Sequence, residues 1–286
     1  MLRLWNALPI VLLLALSGSA IEDNPGFQGN KVARVEVRAV DIRTISHAPL
    51  LRPLAGVILS SDDPDFGGIS ALAASDEGFV AVADTGALMR FSLALDRVRI
   101  ETFPPACVPH LLKRDRDSES LVRDRSSGTL WIGFEWRNAI CRIDADGKAS
   151  VYAPPAMRTW PKENGPEAML RYADGRFLVF AERKGIGGQG SPLLLFDRDP
   201  TDPAARITPM RYRAPKGYAP TDAALLPDGR MLVVNRRFAL PFSFSAIVTL
   251  VEPFSPKPGL VVSGRPVIRL VNSIIETYPD VSQFWT

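Results

Sequence analysis

From residue 66 to residue 251 the apolar residues fall in short runs, each bounded by Gly, Asp, Pro or Ser. No helical spacing of apolar positions is found after residue 20. Short apolar runs punctuated by turn residues are the signature of strands joined by hairpins. The best-formed stretch is Asp117 to Asp144, which predicts three strands. The first opens near Glu119, the second runs from Thr129 to Phe134 and ends on Glu135, and the third covers Ala139 to Ile143. Ahead of the repeats, Lys31 to Ile42 alternates apolar and polar residues as a strand does, and Leu50 to Leu59 is a further apolar run.

The same phrase occurs four times. Phe66–Leu72 leads into Gly78–Asp84, Asp117–Arg123 into Thr129–Glu135, Asn164–Leu170 into Arg176–Glu182, and Pro220–Leu225 into Arg230–Asn235. Polar residues on the first strands, Ser70, Glu119, Glu167 and Asp222, are spaced 49, 48 and 55 apart. Those ending the second strands, Asp84, Glu135, Glu182 and Asn235, are spaced 51, 47 and 53 apart. Asp174-Gly175 and Asp228-Gly229 supply tight-turn dipeptides between the two strands. A period of about 50 residues made of hairpin-linked strands is that of a β-propeller blade. The expected fold is all-β, a β-propeller of about five to six blades, each a four-stranded antiparallel sheet around a central channel. Residues 31–286 are expected to form this single domain, after a signal peptide at 1–20 and a leader at 21–30.

The N-terminal expectation rests on Arg3, the apolar run Leu8–Leu16 and the small residues Ser17 to Ala20. The run is too short to span a bilayer, which takes about 20 residues. An exported protein is expected, periplasmic or secreted, with no other membrane span and as a monomer. The net charge of +3 is slight. The densest basic run (Lys113, Arg114, Arg116, Arg123, Arg125) is interleaved with Asp115, Asp117 and Asp124. It reads as a solvated mixed-charge face rather than a nucleic-acid surface. Cys107 and Cys141 are the two cysteines. After export they either pair, closing a loop of about 35 residues, or remain buried thiols. With only His47 and His110 present, a serine triad is short of a base and a histidine-cysteine metal site lacks ligand spacing.

In a propeller blade, the start of the inner strand and the end of the second strand lie at the same mouth of the channel. Ser70, Asp84, Glu119, Glu135, Glu167, Glu182, Asp222 and Asn235 are therefore expected to converge, and six of them are carboxylates. Three readings remain open. The acids hold a hard cation such as Ca²⁺. They act as general acid and base on a bound ester, with Arg137, Arg183 and Arg236 gripping an anionic group. Or they cap strand ends within each blade. The Gly-rich stretch Lys184–Gly190 matches no phosphate-binding fingerprint and reads as a loop near the mouth.

The phrases FGGISAL with GFVAVADTGALMRF, DSESLVRD with TLWIGFE, NGPEAM with GRFLVFAE, and PTDAALLPDGRMLVVNRRF resemble the phytase-like propeller family, esterase-like activity of phytase. The resemblance covers about residues 60–251. It implies an exported, typically bacterial propeller that hydrolyses phosphate or carboxylic esters of small molecules. Glu119, Glu167 and Asp222 would then be the catalytic or cation-holding acids, with Asp84, Glu135 and Glu182 as further ligands and Arg137, Arg183 and Arg236 on the substrate. Where the family continues with an Asn-x-x-Glu-Gly phrase and a closing blade, this chain ends in Ser282-Gln283-Phe284-Trp285-Thr286. That departure leaves a non-catalytic binding propeller and a truncated, inactive copy as alternatives. A gluconolactonase-like propeller with one metal on Glu, Asn and Asp is similar in architecture only.

Overall fold

The structure, a computed structural model, describes residues 30–40, 54–109, 112–182, 190–239 and 243–271, with short strands at 13–15 and 283–285. Most of the signal-peptide and leader segments, His47, His110, Arg183 and most of the Gly-rich stretch before Gly190 lie outside the described residues.

Each of the four phrases folds into one blade. Blade 1 comprises Ile69–Ser75, Gly78–Ala83, Ala87–Ser92 and Arg97–Thr102. Blade 2 comprises Ser118–Arg123, Leu130–Phe134, Ala139–Ile143 and Ala149–Tyr152. Blade 3 comprises Pro166–Arg171, Phe177–Ala181, Ser191–Phe196 and Ile207–Arg213. Blade 4 comprises Ala219–Leu225, Met231–Ala239, Ser243–Val251 and Arg265–Val271. The four inner strands stand side by side in chain order.

The class is the expected all-β propeller, with four repeat blades rather than five to six. Two blades also carry a fifth strand: Lys31–Arg34 adds antiparallel to blade 1, and Val261–Ser263 adds parallel to blade 3. A separate sheet of short strands orders Leu13–Ala15, Gln283–Trp285, Val57–Ser60 and Glu36–Ala39. Lys31–Arg34 thus joins blade 1, while Glu36–Ala39 and Val57–Ser60 pair in this separate sheet.

The blades hold together by burying their faces against one another. Ala71, Val80, Val82 and Leu88 of blade 1 pack on Leu121, Leu130, Ile132 and Phe134 of blade 2. Trp131, Val122 and Ile140 pack on Met169, Phe177 and Val179 across the next interface. Leu178, Phe180, Leu193 and Tyr212 meet Met231, Val233 and Val251 across the third. This explains why the second strands are apolar on both sides: every residue of Leu130–Phe134 and Phe177–Ala181 is buried. Gly175 (φ 89°) and Gly229 (φ 85°) take the positive φ that the two Asp-Gly turns require.

Cys107, on the connection into blade 2, forms a disulfide with Cys141 on that blade's third strand. Both lie in the apolar interface between blades 1 and 2. The bridge closes a separation of 34 residues. On the chain-entropy argument, the double variant Cys107→Ser/Cys141→Ser should lose about 3–4 kcal/mol of unfolding free energy. Urea titration checks this, and wild type under reducing conditions should melt with the variant.

Candidate functional site: a carboxylate cluster at the inner-strand ends

A β-bulge sits near the start of every inner strand. The register skips one residue between Ile69 and Ala71, between Ser118 and Ser120, between Pro166 and Ala168, and between Pro220 and Asp222. The bulged residues are therefore Ser70, Glu119, Glu167 and Thr221. A bulge leaves its extra residue out of the ladder and re-aims the side chain, and Glu119 and Glu167 are thereby brought into the carboxylate groups described below.

The residues leaving the second strands form a second tier. The N–H groups of Asp84, Glu135 and Glu182 donate to the carbonyls of Gly68, Asp117 and Gly165 at 2.8, 3.0 and 3.2 Å. In blade 4 the corresponding strand partners are Arg236 and Ala219. The exit tier is thus Asp84, Glu135, Glu182 and Arg236. Close approach needs glycine at two points. A Cβ on Gly68 would collide with the Asp84 carboxylate, and one on Gly165 with the backbone of Glu135.

This register corrects the sequence reading of blade 4 by one residue. Asp222 and Asn235 were matched to the acids of the other blades by side-chain type. The bulge equivalent is Thr221 and the exit equivalent is Arg236. One step along a strand moves a side chain to the other face. Asp222 accordingly takes part in neither of the carboxylate groups described below, and accepts a hydrogen bond from the N–H of Ala223 at 2.7 Å. Asn235 is fully buried, and its side-chain amide donates to the carbonyls of Val233 and Ile247 at 3.0 Å each.

Glu119, Glu135, Glu167 and Glu182 do converge, and Asp117 joins them, so the expected solvated mixed-charge face does not hold at Arg116 and Asp117, which are both buried. Carboxylate oxygens of Asp117, Glu119 and Glu135 lie within 4.8 Å of one another, as do those of Glu135, Glu167 and Glu182. Glu135 is common to both groups. Asp117 is buried and accepts the indole N–H of Trp136 at 3.0 Å. Its place two residues before Glu119, on the same side of an alternating strand, was the available sequence signal. Arg236 faces the cluster, with Nη2 at 3.5 Å from Glu182 Oε1. Arg137 goes elsewhere: its guanidinium donates to the carbonyls of Cys107 and, at 3.1 Å, Asp115, and lies over the Phe134 ring. It braces the loop that carries the disulfide.

Burial pushes the Glu119 carboxyl well above the usual value, and the charges of Asp117 and Glu135 add to the effect. Glu167 is raised in the same way, by burial and then by Glu119 and Glu182. Arg236 opposes both shifts. Burial works against the Arg236 charge, but Glu182, Glu167 and Glu119 outweigh it and hold the guanidinium above its usual value. Burial alone lifts Asp222, to about 7. The cluster therefore holds protons more tightly than free carboxylates do and offers an all-oxygen donor set. That set fits a hard divalent cation such as Ca²⁺ or Mg²⁺ without choosing between them.

The fold and this mouth define an all-β propeller of four repeat blades with an acidic central site. The chain belongs to the phytase-like family, esterase-like activity of phytase, which it matches over residues 64–264. No curated protein matches it. Among solved structures it is similar to a catalytically inactive virginiamycin B lyase from Staphylococcus aureus, with 12% identity, TM-score 0.44, and coverage of 78% of this chain and 88% of that one. It is also similar to a bifunctional GH43-CE protein of Bacteroides eggerthii, with 15% identity, TM-score 0.44, and coverage of 84% and 34%. An exo-beta-1,3-galactanase from Clostridium thermocellum matches at 9% identity and TM-score 0.41, covering 85% and 51%. The family membership rests on the first match alone.

Carboxyls with raised folded values bind protons more tightly folded than unfolded. Their stabilisation is complete below the ordinary carboxylate range and is lost as pH rises toward the folded value. Without divalent cations, thermal stability should fall as pH rises from about 5 to about 8. Asp222→Asn keeps the acceptor for Ala223 and removes the half-buried charge. It should raise the melting temperature at about pH 8 by at least about 3 °C and flatten the pH slope, both read by calorimetry.

Proposed function

We propose that this chain is an exported ester hydrolase whose chemistry takes place at the channel mouth, on phosphate or carboxylic esters of small molecules. The observation that carries this reading is the convergence of Asp117, Glu119, Glu135, Glu167 and Glu182 opposite Arg236. Membership of the phytase-like family supports it.

Burial and the neighbouring acids raise Glu119 and Glu167, which favours their protonated forms relative to free carboxylates. Either carboxyl, when protonated, can pass its proton to the departing alcohol oxygen as general acid. Glu135 and Glu182 stand next to them, with oxygens within 4.8 Å, and can accept a proton from an attacking water. Arg236, held above its usual value, stays cationic and orients an anionic centre on the substrate. When a divalent cation such as Ca²⁺ is bound, it would neutralise the clustered acids and polarise an ester oxygen. Glu135, shared by both groups, would hold it with Glu119 and Asp117 or with Glu167 and Glu182.

Export rests on the Arg3, Leu8–Leu16 and Ser17–Ala20 pattern. Cleavage after Ala20 would remove Leu13–Ala15 from the separate sheet and leave Gln283–Trp285 at its edge.

The purified chain is expected to turn over p-nitrophenyl carboxylic or phosphate esters. EDTA should lower the rate, and added Ca²⁺ or Mg²⁺ should restore it. Glu167→Gln should reduce kcat by about 10²–10⁴-fold. Glu135→Gln should abolish the response to cation. Absence of turnover on both ester classes, with and without cation, overturns the reading.

A further inference from the structure

The second and third strands of blade 4 run past the point where their counterparts stop. Second strands in blades 1 to 3 end at Ala83, Phe134 and Ala181, the positions equivalent to Asn235. In blade 4 pairing continues through Arg236 with Ala246, Arg237 with Ser245, Phe238 with Phe244 and Ala239 with Ser243. Four further residues extend the hairpin by roughly 13 Å. It leaves from the exit tier, on the side of the channel where the acids gather.

Two features show that this extension is a built surface. Its base is braced by a hydrogen bond between the buried Tyr218 hydroxyl and Ser245 Oγ at 2.9 Å. Beyond it, Phe238 and Phe244 lie directly across the ladder with ring centroids 4.7 Å apart. Phe238 follows Arg236 by two residues, so it lies on the same strand face about 7 Å further out. It keeps 44% of its surface exposed. On the other flank of blade 3, Trp136 is fixed by its hydrogen bond to Asp117. The acid cluster thus has aromatic surface on its blade 2 side and on its blade 4 side.

Charge narrows the ligand further. Among the described residues, Asp84, Asp117, Glu119, Glu135, Glu167 and Glu182 gather with Arg236, which already engages Glu182, while a second buried arginine, Arg116, packs beside Gly86, two residues after Asp84. A substrate bearing several phosphates would add like charge to that cluster. An ester with an apolar acyl or aryl group and at most one anionic centre matches both the aromatic wall and the surplus of acids.

We infer that the hairpin bearing Phe238 and Phe244 is the specificity wall of the mouth, and that its substrate class is esters of medium-chain or aromatic acids rather than polyphosphorylated molecules. This rests on the hydrolase reading above. The test compares p-nitrophenyl acetate with p-nitrophenyl octanoate, in the wild type, Phe238→Ala and Phe238→Leu, with inositol hexakisphosphate as the polyanionic probe. Calorimetric titration with octylphosphonate and methylphosphonate reads binding without turnover. Phe238→Ala should raise KM for the octanoate about tenfold with kcat and the acetate KM nearly unchanged, and Phe238→Leu should recover most of the loss. Inositol hexakisphosphate should be hydrolysed at least about tenfold less efficiently than the octanoate. Ester hydrolysis with a chain-length profile that Phe238→Ala leaves unaltered overturns the wall and spares the hydrolase. Preference for inositol hexakisphosphate overturns the substrate class. No hydrolysis, with octylphosphonate binding that depends on Phe238, overturns the hydrolase and supports the wall. Neither hydrolysis nor binding overturns both.

Discussion

Five carboxylates in two groups that share Glu135, each with oxygens within 4.8 Å of one another, and a sixth from Asp84 nearby, repel one another strongly wherever water is scarce. At about 4 Å a pair of like charges costs about 1 kcal/mol in bulk water and about 4 kcal/mol near a protein surface. The cluster therefore cannot be fully ionised without compensation. Arg236 supplies one positive charge, and the raised proton affinity of Glu119 and Glu167 favours further neutralisation by proton uptake. A hard cation would do the same with better geometry. The chemistry open to this site follows from that imbalance, since a group of acids that must take up protons or a cation can also give them to a substrate.

Such repulsion is sustained only by a scaffold that does not yield. The apolar interfaces between successive blades provide it, and short polar ties close the gaps near the channel. Ser118 Oγ donates to the carbonyl of Ala83 at 2.8 Å and Ser120 Oγ to that of Pro166 at 2.5 Å, each across a blade boundary. These bonds flank the bulge that turns Glu119 inward. Gly165 lets the start of blade 3 press against Glu135, which brings the two carboxylate groups close enough to share that residue. Packing and electrostatics thus meet in the same few residues.

Blade 4 breaks the pattern in ways that all bear on the mouth. It places Thr221 where two of the other blades place glutamate, and Arg236 where all three place an acid. Its hairpin also outruns the others and carries a braced aromatic pair. The charge of one exit residue and the length of one hairpin convert a repeated acidic tier into a site with a polar and an apolar side.

Much of this was legible in the sequence. Alternation, Asp-Gly turns and a period near 50 residues mark the strands and blades, because side-chain burial in a sheet and positive φ in a turn are demands on local residue type. Glu119, Glu135, Glu167 and Glu182 could be picked out for the same reason, by their fixed places in the repeat. The bulges could not, since an extra residue in one strand shows only against its partner. Asp222 therefore stood in for Thr221, and Asn235 for Arg236. Nor could the sequence separate Arg236, which reaches Glu182, from Arg137, which reaches main-chain carbonyls of the disulfide loop. Which early strands would join which sheet was equally hidden. By itself the sequence determined the repeating unit and its acidic positions, which depend on local patterns of burial and turn. The tertiary structure alone decided which charges meet, because distances between blades are set by packing between residues far apart in the chain.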